Sequence, residues 1–272
     1  SENITLSDGS VQTVLVPKVY VVAKVGDLET SGALISGDIV YSRSREDFHN
    51  SGTIAGRRAV VIEANDINNI GGRIVGESVA LIAERDINVV GGTVSAALSL
   101  MAKAGNDMNM ATTTSTNRGG DDANGYANTN VDRIAALILE PVDAVDVPPA
   151  QRSLVLEAGR NANLQAALIA NAVEGASTYI HAAKDVVLST VNISNEQRIT
   201  WDPRNLLSFG QSEEMGTEIQ TLGPTRIEAG ENFDARAAQV HSSKALEIKA
   251  VQDAKIAAGE ASQSVDSRSY SK

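Results

Sequence analysis

The fold is decided by a stretch that the chain repeats at a fixed interval, Asn65-Asp66-Ile67-Asn68-Asn69-Ile70-Gly71-Gly72-Arg73-Ile74. The next copy, Arg85-Asp86-Ile87-Asn88 followed by Gly91-Gly92-Thr93-Val94, begins twenty residues later. Two marks keep this period, a glycine before a strand and an Asp-apolar-Asn turn, and two independent marks with one period indicate a repeat architecture. Their members are Gly32, Gly52, Gly72 and Gly92, then Asp66, Asp86 and Asp107, then Asn68, Asn88 and Asn109.

The residues between the marks alternate between apolar and polar, which is the strand period. Leu81 and Ala83 bracket Ile82, and Leu156 and Ala158 bracket Glu157. A coil of about twenty residues cannot bury its own apolar face, so coils must stack, with parallel strands about 4.8 Å apart. The sequence therefore predicts an all-β chain, a right-handed parallel β-helix in which Leu, Ile, Val and Ala form internal ladders.

Two stretches leave the period, at about 112–149 and 194–221, and we expect them to be surface insertions. The rest supplies about ten coils and a rod about 50 Å long. We treat residues 1–272 as one β-helical domain, and the absence of an initiating Met suggests a fragment of a larger protein.

Composition excludes several functional classes. The formal net charge is −11, which disfavours binding to nucleic acid and to anionic lipid. The chain has no cysteine, so disulfides and thiolate metal sites are excluded. Aromatic residues are only 3% of the chain, which suits a narrow core of small aliphatic side chains. No apolar run is long enough for a membrane-spanning helix.

The repeated polar residues have structural interpretations. Asp66, Asp86 and Asp107 should stack on one corner, where each carboxylate accepts N–H groups of its own turn. The alternative is a calcium-binding row, which the missing paired-glycine nonapeptide pattern disfavours. Asn68, Asn88 and Asn109 should form an amide ladder along the axis. We expect no metal and no cofactor.

Catalysis finds little support in the sequence. The histidines, His49, His181 and His241, have no ligand spacing and are expected on outward strand positions. Because some β-helices are polysaccharide lyases, we considered a site built from Arg57, Arg58, Arg85 and the Asp row. Surface ion pairing explains these residues better, and we expect no enzyme and no catalytic residue.

The second insertion carries the only Trp, Trp201, together with Phe209. An aromatic residue on a protruding loop is suited to anchoring a partner. The alternative is that Trp201 folds back onto the rod, and the sequence leaves both interpretations open.

Several motifs together resemble the haemagglutinin repeats of filamentous-haemagglutinin-like exoproteins of the two-partner-secretion pathway. They are Asn50-Ser51-Gly52-Thr53-Ile54-Ala55-Gly56-Arg57, the repeated Asp-Ile-Asn before Gly-Gly, Val131-Asp132-Arg133-Ile134-Ala135, Val16-Pro17-Lys18-Val19-Tyr20 and Ala257-Ala258-Gly259-Glu260-Ala261. The chain looks closest to the second repeat region of contact-dependent growth inhibition effectors. It departs from the pattern at Ala162, Val186 and Ala254, which replace the Ile of the motif.

The resemblance implies a secreted or cell-surface protein of a Gram-negative bacterium, or one held in the periplasm before delivery. It implies three partners: a two-partner-secretion outer-membrane transporter, the target-cell outer membrane or its proteins, and a C-terminal toxin domain of the same chain. The implied function is toxin delivery across the target-cell outer membrane. The alternatives are an adhesin segment that binds a cell-surface receptor and a haemolysin-type exoprotein.

Overall fold

The computed structural model describes residues 2–5, 11–14, 32–121, 123–141 and 147–270. The contacts divide the chain into two units, Ser1–Gly32 and Ala33–Lys272. In the first unit, β1 (Glu2–Thr5) and β2 (Val11–Val14) form an antiparallel pair. The account below concerns the second unit.

The second unit is all-β in its described residues, apart from one turn of 3-10 helix at Pro149–Gln151. Its strands are β3 (Leu34–Arg43), β4 (Phe48–Asn50), β5 (Thr53–Ala64), β6 (Ile67–Ile70), β7 (Arg73–Ala83), β8 (Ile87–Val90), β9 (Thr93–Ala104), β10 (Met108–Ala111), β11 (Thr113–Gly120), β12 (Gly125–Arg133), β13 (Ala136–Leu139), β14 (Ser153–Ala158), β15 (Ala162–Gln165), β16 (Leu168–Asn171), β17 (Ser177–Ala182), β18 (Val186–Ser189), β19 (Val191–Asp202), β20 (Asn205–Met215), β21 (Glu218–Thr221), β22 (Thr225–Ala229), β23 (Phe233–Arg236), β24 (Gln239–Ser242), β25 (Leu246–Ala250), β26 (Ala254–Ala257) and β27 (Ala261–Arg268).

Two parallel sheets take up most of these strands. One has eight strands in the order β26-β23-β18-β15-β10-β8-β6-β4. The other has twelve: β3, β5, β7 and β9 pair in sequence, and β9 then pairs with both β13 and β14. From β13 and β14 onward each long strand is replaced by two shorter ones. The chain alternates between the sheets, and we call one passage through both a coil.

Equivalent residues of successive coils are hydrogen-bonded neighbours, which produces internal side-chain ladders. One ladder contains Ile62, Leu81, Ala102, Leu156, Ile180 and Ile227, each 0% exposed. The next inward position is alanine on the same strands, from Ala64 to Ala229. Burial of each larger aliphatic contributes about 1.5–3 kcal/mol, so these ladders dominate the stability of the coils. The predicted inward positions are confirmed for these coils.

The last coil departs from that prediction. Ile248 and Ala250 repeat the spacing of Leu81 and Ala83, which predicts Ile248 inside, but Ile248 is 36% exposed and Ile256 is 79% exposed. Each pairs on one side only, with β22 and β23 respectively. No described strand lies beyond β25 and β26, so nothing described covers their outer side. The eight-stranded sheet also gives eight described coils where about ten were expected.

The first insertion is shorter than the sequence suggested, and the second begins and ends about three residues earlier. The first was expected to reach residue 149, but β13 has already returned to the parallel sheet, with Leu137 fully buried. The apolar segment Ile134–Leu139 re-enters because it supplies the internal ladder. The second was expected at 194–221, yet β19 leaves at Val191 and β21 returns at Glu218. In the described part of the chain, no helix has the length and apolar character needed to cross a membrane.

Candidate functional site

The excursions from the coils assemble into one further sheet, which we call the hairpin sheet. Its five strands lie in the order β11-β12-β19-β20-β27, and all neighbours are antiparallel. Strands β11 and β12 form the first hairpin, and β19 and β20 form the second. The sequence predicted loops at these places, whereas the structure contains regular strands.

The hairpins leave the coils at one corner, between a strand of the eight-stranded sheet and the next strand of the twelve-stranded sheet. Chain leaves this corner after β10, β18 and β26. The coils between them, ending in β15 and β23, instead turn through Ala166 and Ala237, which have φ of 46° and 49°. Gly71 and Gly91, at 65° and 55°, turn the same corner earlier. Left-handed backbone therefore closes this corner after β6, β8, β15 and β23, where no hairpin leaves it.

Alternation of tight and hairpin corners has a geometric cause. Each coil advances by one strand spacing, about 4.8 Å, whereas a hairpin is two strands wide. Hairpins that leave every second coil therefore fit edge to edge without gap or overlap. This agrees with the observed pairing of β12 with β19 and of β20 with β27.

Polar contacts at the hairpin bases attach this sheet to the corner. Arg133 Nη1 donates to the Gly71 carbonyl over 3.1 Å. Glu214 accepts from Arg236 Nε and from the Glu260 N–H, each over 2.8 Å to Oε2. The Arg236 guanidinium, and then the Glu260 backbone N–H, hold the pKa of Glu214 below its usual value. These bonds join each hairpin to a different coil.

The two faces of the hairpin sheet carry different polar rows, because residues directly opposite on antiparallel strands share a face. On the amide face, one carboxamide from every strand forms a row across the sheet. On the hydroxyl face, the adjacent residue of every strand forms a row of alcohols. The amide row is Asn117, Asn128, Asn195, Gln211 and Gln263, and the hydroxyl row is Thr116, Thr129, Ser194, Ser212 and Ser262.

The two rows differ in whether their side chains form hydrogen bonds with other residues of the chain. On the hydroxyl face, Thr116 and Thr129 are bonded over 2.9 Å, and Ser212 and Ser262 also over 2.9 Å. Among the described residues, no side-chain hydrogen bond involves the five carboxamides, and all but Asn128 are exposed. Each exposed amide therefore presents one acceptor and two donors to solvent.

Aromatic residues lie next to the amide row on the same face. Tyr126, Gln197, Phe209 and Val265 occupy the row two residues further along their strands. Tyr126 is 47% exposed, and its ring lies over Gly119, where a Cβ would come within 2.7 Å of it. Phe209 is half-buried and Val265 is 62% exposed. This row is uncharged and, apart from Gln197, apolar, and we call it the apolar row.

Trp201 lies near the tip of the second hairpin and is 66% exposed. The alternative in which it folds back onto the coils is therefore wrong. Next to it, Asp202 forms the turn and accepts from the Arg204 N–H over 2.7 Å and from the Asn205 amide over 2.6 Å. The bond from the Asn205 side chain, and then that from the Arg204 N–H, lower the pKa of Asp202. Trp201 and Phe209 lie on one hairpin, but only Phe209 belongs to the row beside the amides.

The hydroxyl face has a depression of about 320 Å³. It forms where Gly125, Ala127 and Gly210 carry small or no side chains. Glu196 and Arg198 also line it, so its rim carries both signs of charge. The amide row and the apolar row beside it contain no charged residue.

The Asp row does not cap its own turns as predicted. Asp66 Oδ1 accepts the N–H of Asp86 over 3.1 Å, and Asp86 Oδ1 accepts that of Asp107 over 3.0 Å. Asp107 accepts the N–H of Asn161 over 3.1 Å. Each carboxylate thus caps the equivalent turn of the following coil, because the parallel register brings that N–H within reach. Arg85 pairs with Asp66 over 2.9 Å, and Arg160 pairs with Asp107.

The arrangement of the described residues does not support metal binding or lyase chemistry. In the described ranges, no group of three or more His, Asp or Glu residues is arranged to hold a metal ion. Arg57 and Arg58 both pair with Asp38, whereas Arg85 pairs with Asp66. The three arginines considered for catalysis are therefore divided between two separate carboxylates, Asp38 and Asp66.

The predicted amide ladder is confirmed in the eight-stranded sheet. Asn88 Nδ2 donates to Asn68 Oδ1, and Asn109 Nδ2 donates to Asn88 Oδ1, each over 2.9 Å. Asn163 continues the ladder by donating to Asn109 over 2.8 Å.

The glycine row needs one correction. Gly52, Gly72 and Gly92 occupy equivalent positions, because the N–H groups of Arg73 and Thr93 donate to Gly52 and Gly72. The N–H of Thr53 donates to Ala33, so Ala33 takes the place predicted for Gly32. The first coil is one residue shorter than the twenty-residue period implied.

The histidines lie on the surface, as expected. His49 and His241 are exposed, and half-buried His181 stacks on Tyr179 with a ring-centroid distance of 5.9 Å. Tyr179 donates to Glu228 over 2.6 Å, and burial, followed by this bond, raises the pKa of Tyr179 to about 12.

Sequence reasoning missed both rows of the hairpin sheet, although a signal was present. Every strand carries a neighbouring hydroxyl–carboxamide pair, and its order reverses from strand to strand. The pairs are Thr116-Asn117, Asn128-Thr129, Ser194-Asn195, Gln211-Ser212 and Ser262-Gln263. The Val16-Pro17-Lys18-Val19-Tyr20 motif lies outside the described residues. Comparison of the chain with family models, curated proteins and solved structures gives no match.

Proposed function

We propose that Ala33–Lys272 is a right-handed parallel β-helix that serves as a non-catalytic segment of a large secreted exoprotein. In this proposal the exoprotein is of the filamentous-haemagglutinin type, and the segment serves toxin delivery to a target cell in contact-dependent growth inhibition. The repeat motifs and their resemblance supply the family part of the proposal.

The observation that carries the structural part is the unbroken parallel register. From Ile62 to Ile227, six successive equivalent positions lie in one buried ladder. A stack of this kind extends by adding coils, since each coil contacts only its neighbours. Such a segment can separate a secretion domain from a cargo domain by a fixed distance.

The ion pairs favour a structural role over a lyase. Arg85 and Arg160 bind carboxylates that also accept backbone N–H groups of the next coil. A general base would need an unengaged group in reach of a substrate proton. These arginines and aspartates instead hold neighbouring coils together.

Toxin delivery is tested by fusing one growth-inhibition toxin domain to the C-terminus of the chain. Target cells would receive the fusion, the free toxin domain or the chain alone, after permeabilisation of their outer membrane in one set and without it in another. Delivery predicts inhibition of intact cells by the fusion alone and equal inhibition of permeabilised cells by both toxin-bearing proteins. Equal activity of free toxin and fusion on intact cells contradicts the proposal.

An adhesin is the second candidate, favoured by the exposure of Trp201 on the hairpin sheet. Replacing Thr190–Gly216 by a single glycine would join Ser189 to Thr217 with the spacing seen from Gln165 to Ala167. If the intact chain binds target cells and this variant does not, the adhesin is favoured over delivery. Leakage from lipid vesicles caused by the chain alone would instead favour a haemolysin.

A further inference from the structure

We propose that the amide face of the hairpin sheet binds a neutral, linear polysaccharide that runs along the amide row, across the strands. The argument depends only on the geometry of this sheet and is independent of toxin delivery. The row comprises Asn117, Asn128, Asn195, Gln211 and Gln263.

The first observation is that the exposed amides are unused. In the eight-stranded sheet, the side-chain amides of Asn68, Asn88 and Asn109 are hydrogen-bonded to one another. In the hairpin sheet, Asn195 and Gln211 are directly opposite and exposed, yet they make no side-chain hydrogen bond. An unbonded carboxamide can bind two adjacent hydroxyl groups of a sugar, because it offers donors and an acceptor side by side.

The spacing suits a polymer better than a small ligand. Five strands place an amide about every 4.8 Å over a row four strand spacings long. A linear glycan repeats its hydroxyls at regular intervals, so successive sugars can meet successive amides. Each contact is weak, and the row adds them along one chain, as linked sites do.

The apolar row supplies the other part of sugar recognition. Tyr126 is exposed beside Asn128, and Phe209 lies beside Gln211, two residues away on the same face. Aromatic rings pack against the C–H faces of sugar rings, while polar groups at the edge fix the orientation. Amides and aromatics are therefore arranged as two parallel rows.

The charge pattern selects a neutral ligand. Neither row carries a charged side chain, whereas the chain has a net charge of −11. An anionic glycan would be repelled by the net charge of the protein and would meet no cation in either row. A dry amide zipper with a second copy is disfavoured because the Tyr126 ring stands over Gly119 and interrupts a flat face.

The test is affinity electrophoresis of the full chain in native gels that contain dextran, galactomannan or a mixed-linkage β-glucan. The variant is Asn195→Ala with Gln211→Ala on the two central strands. Its control is Ser194→Ala with Ser212→Ala, which alters the same strands on the opposite face. We expect retardation by at least one of the three glycans, a loss of about tenfold in affinity for the amide variant and little change for the control. Circular dichroism melts verify that both variants fold.

Three results would overturn the proposal. The first is absence of retardation by all three glycans, and the second is an equal loss in both variants, which would place binding elsewhere. The third is self-association by the intact chain that the amide substitutions abolish, with no glycan binding, because it would assign the face to a second copy. A fourth result, retardation only in an additional gel that contains anionic polygalacturonate, would contradict the choice of a neutral ligand.

Discussion

The coils and the hairpin sheet both place amides in rows across strands, but only the coils bond them to one another. In the parallel sheet, Asn109 is related to Asn88 by translation, so the donor of one amide faces the acceptor of the next. In the antiparallel sheet, neighbouring strands run in opposite directions, and adjacent amides do not repeat one orientation. Strand direction thus accounts for the bonded amide ladder of the coils and the unbonded amide row of the hairpin sheet.

The two regions also differ in what holds them together. The coils enclose ladders such as Ile62–Leu81–Ala102, which are fully buried. The hairpin sheet has polar residues in rows on both faces and depends on strand pairing and on base contacts such as Glu214 with Arg236. We therefore expect substitutions in the coils to change folding and substitutions in the hairpin sheet to change binding.

The largest effect is expected from Leu81→Asp. Leu81 is 0% exposed between Ile62 and Ala102, so the new carboxylate would be buried without a partner. We expect a loss of more than about 4 kcal/mol, enough to abolish cooperative melting followed by circular dichroism. The control is Ile82→Asp, the next residue on the outward side, which should melt near the parent temperature. A parent-like melt for Leu81→Asp would contradict the inward register.

The second prediction compares the two amide rows directly. Asn109→Ala would leave the Asn88 carbonyl oxygen without its donor and the Asn163 amide without its acceptor. We expect a loss of about 1–2 kcal/mol in the free energy of unfolding. Asn195→Ala removes an exposed amide without a bond and should change it by less than about 0.5 kcal/mol. Urea titrations of both variants measure the difference, and equal losses would contradict the distinction between the rows.

Much of the coil region could be predicted because its signals are local and repeated. The Asp-apolar-Asn mark recurs at one corner, at Asp66, Asp86 and Asp107, and the Leu81–Ala83 spacing places the same side of each strand inward. The sequence could not tell that Asp66 bonds to the next coil, since that depends on which N–H the stacking brings near. Nor could it tell that Ala33, rather than Gly32, takes the register position, because one coil is a residue shorter.

The hairpin sheet was much harder to predict. Its strands have no apolar alternation, since Asn117 and Thr116 are both polar, so the period-2 signal of a buried face is lost. Its neighbours come from separate excursions, and β12 meets β19 across an intervening stretch of 57 residues, 134–190. Only the reversing order of hydroxyl–carboxamide pairs carries the register. That pattern can be recognised only once the strands are known to be antiparallel.

The third prediction concerns the corner that joins the two regions. Gly91 has φ of 55°, and a Cβ there would lie 2.9 Å from the Arg133 Cβ at the base of the first hairpin. Gly91→Ala should cost about 1–2 kcal/mol through left-handed backbone strain, with the contact added to it. Gly175→Ala is the control, because φ there is 81° and a Cβ meets nothing within 4 Å. Equal destabilisation of the two variants in urea titrations would show that the base of the first hairpin moves away from the added Cβ without a cost in stability.

The smallest effect is expected from pH, and the coils offer a test at Asp107. The bond from the Arg160 guanidinium to Asp107, with that from the Asn161 N–H, holds the pKa of Asp107 below its usual 3.8. The folded state therefore binds this proton more weakly than the unfolded state, so the stabilisation is present above pH 3.8 and is lost as pH falls through the folded pKa. Arg160→Gln should lower the urea midpoint slightly at pH 6 and converge with the parent in strong acid. If the parent and the variant differ by the same amount at both pH values, the charge of Asp107 does not contribute to stability through its pairing with Arg160.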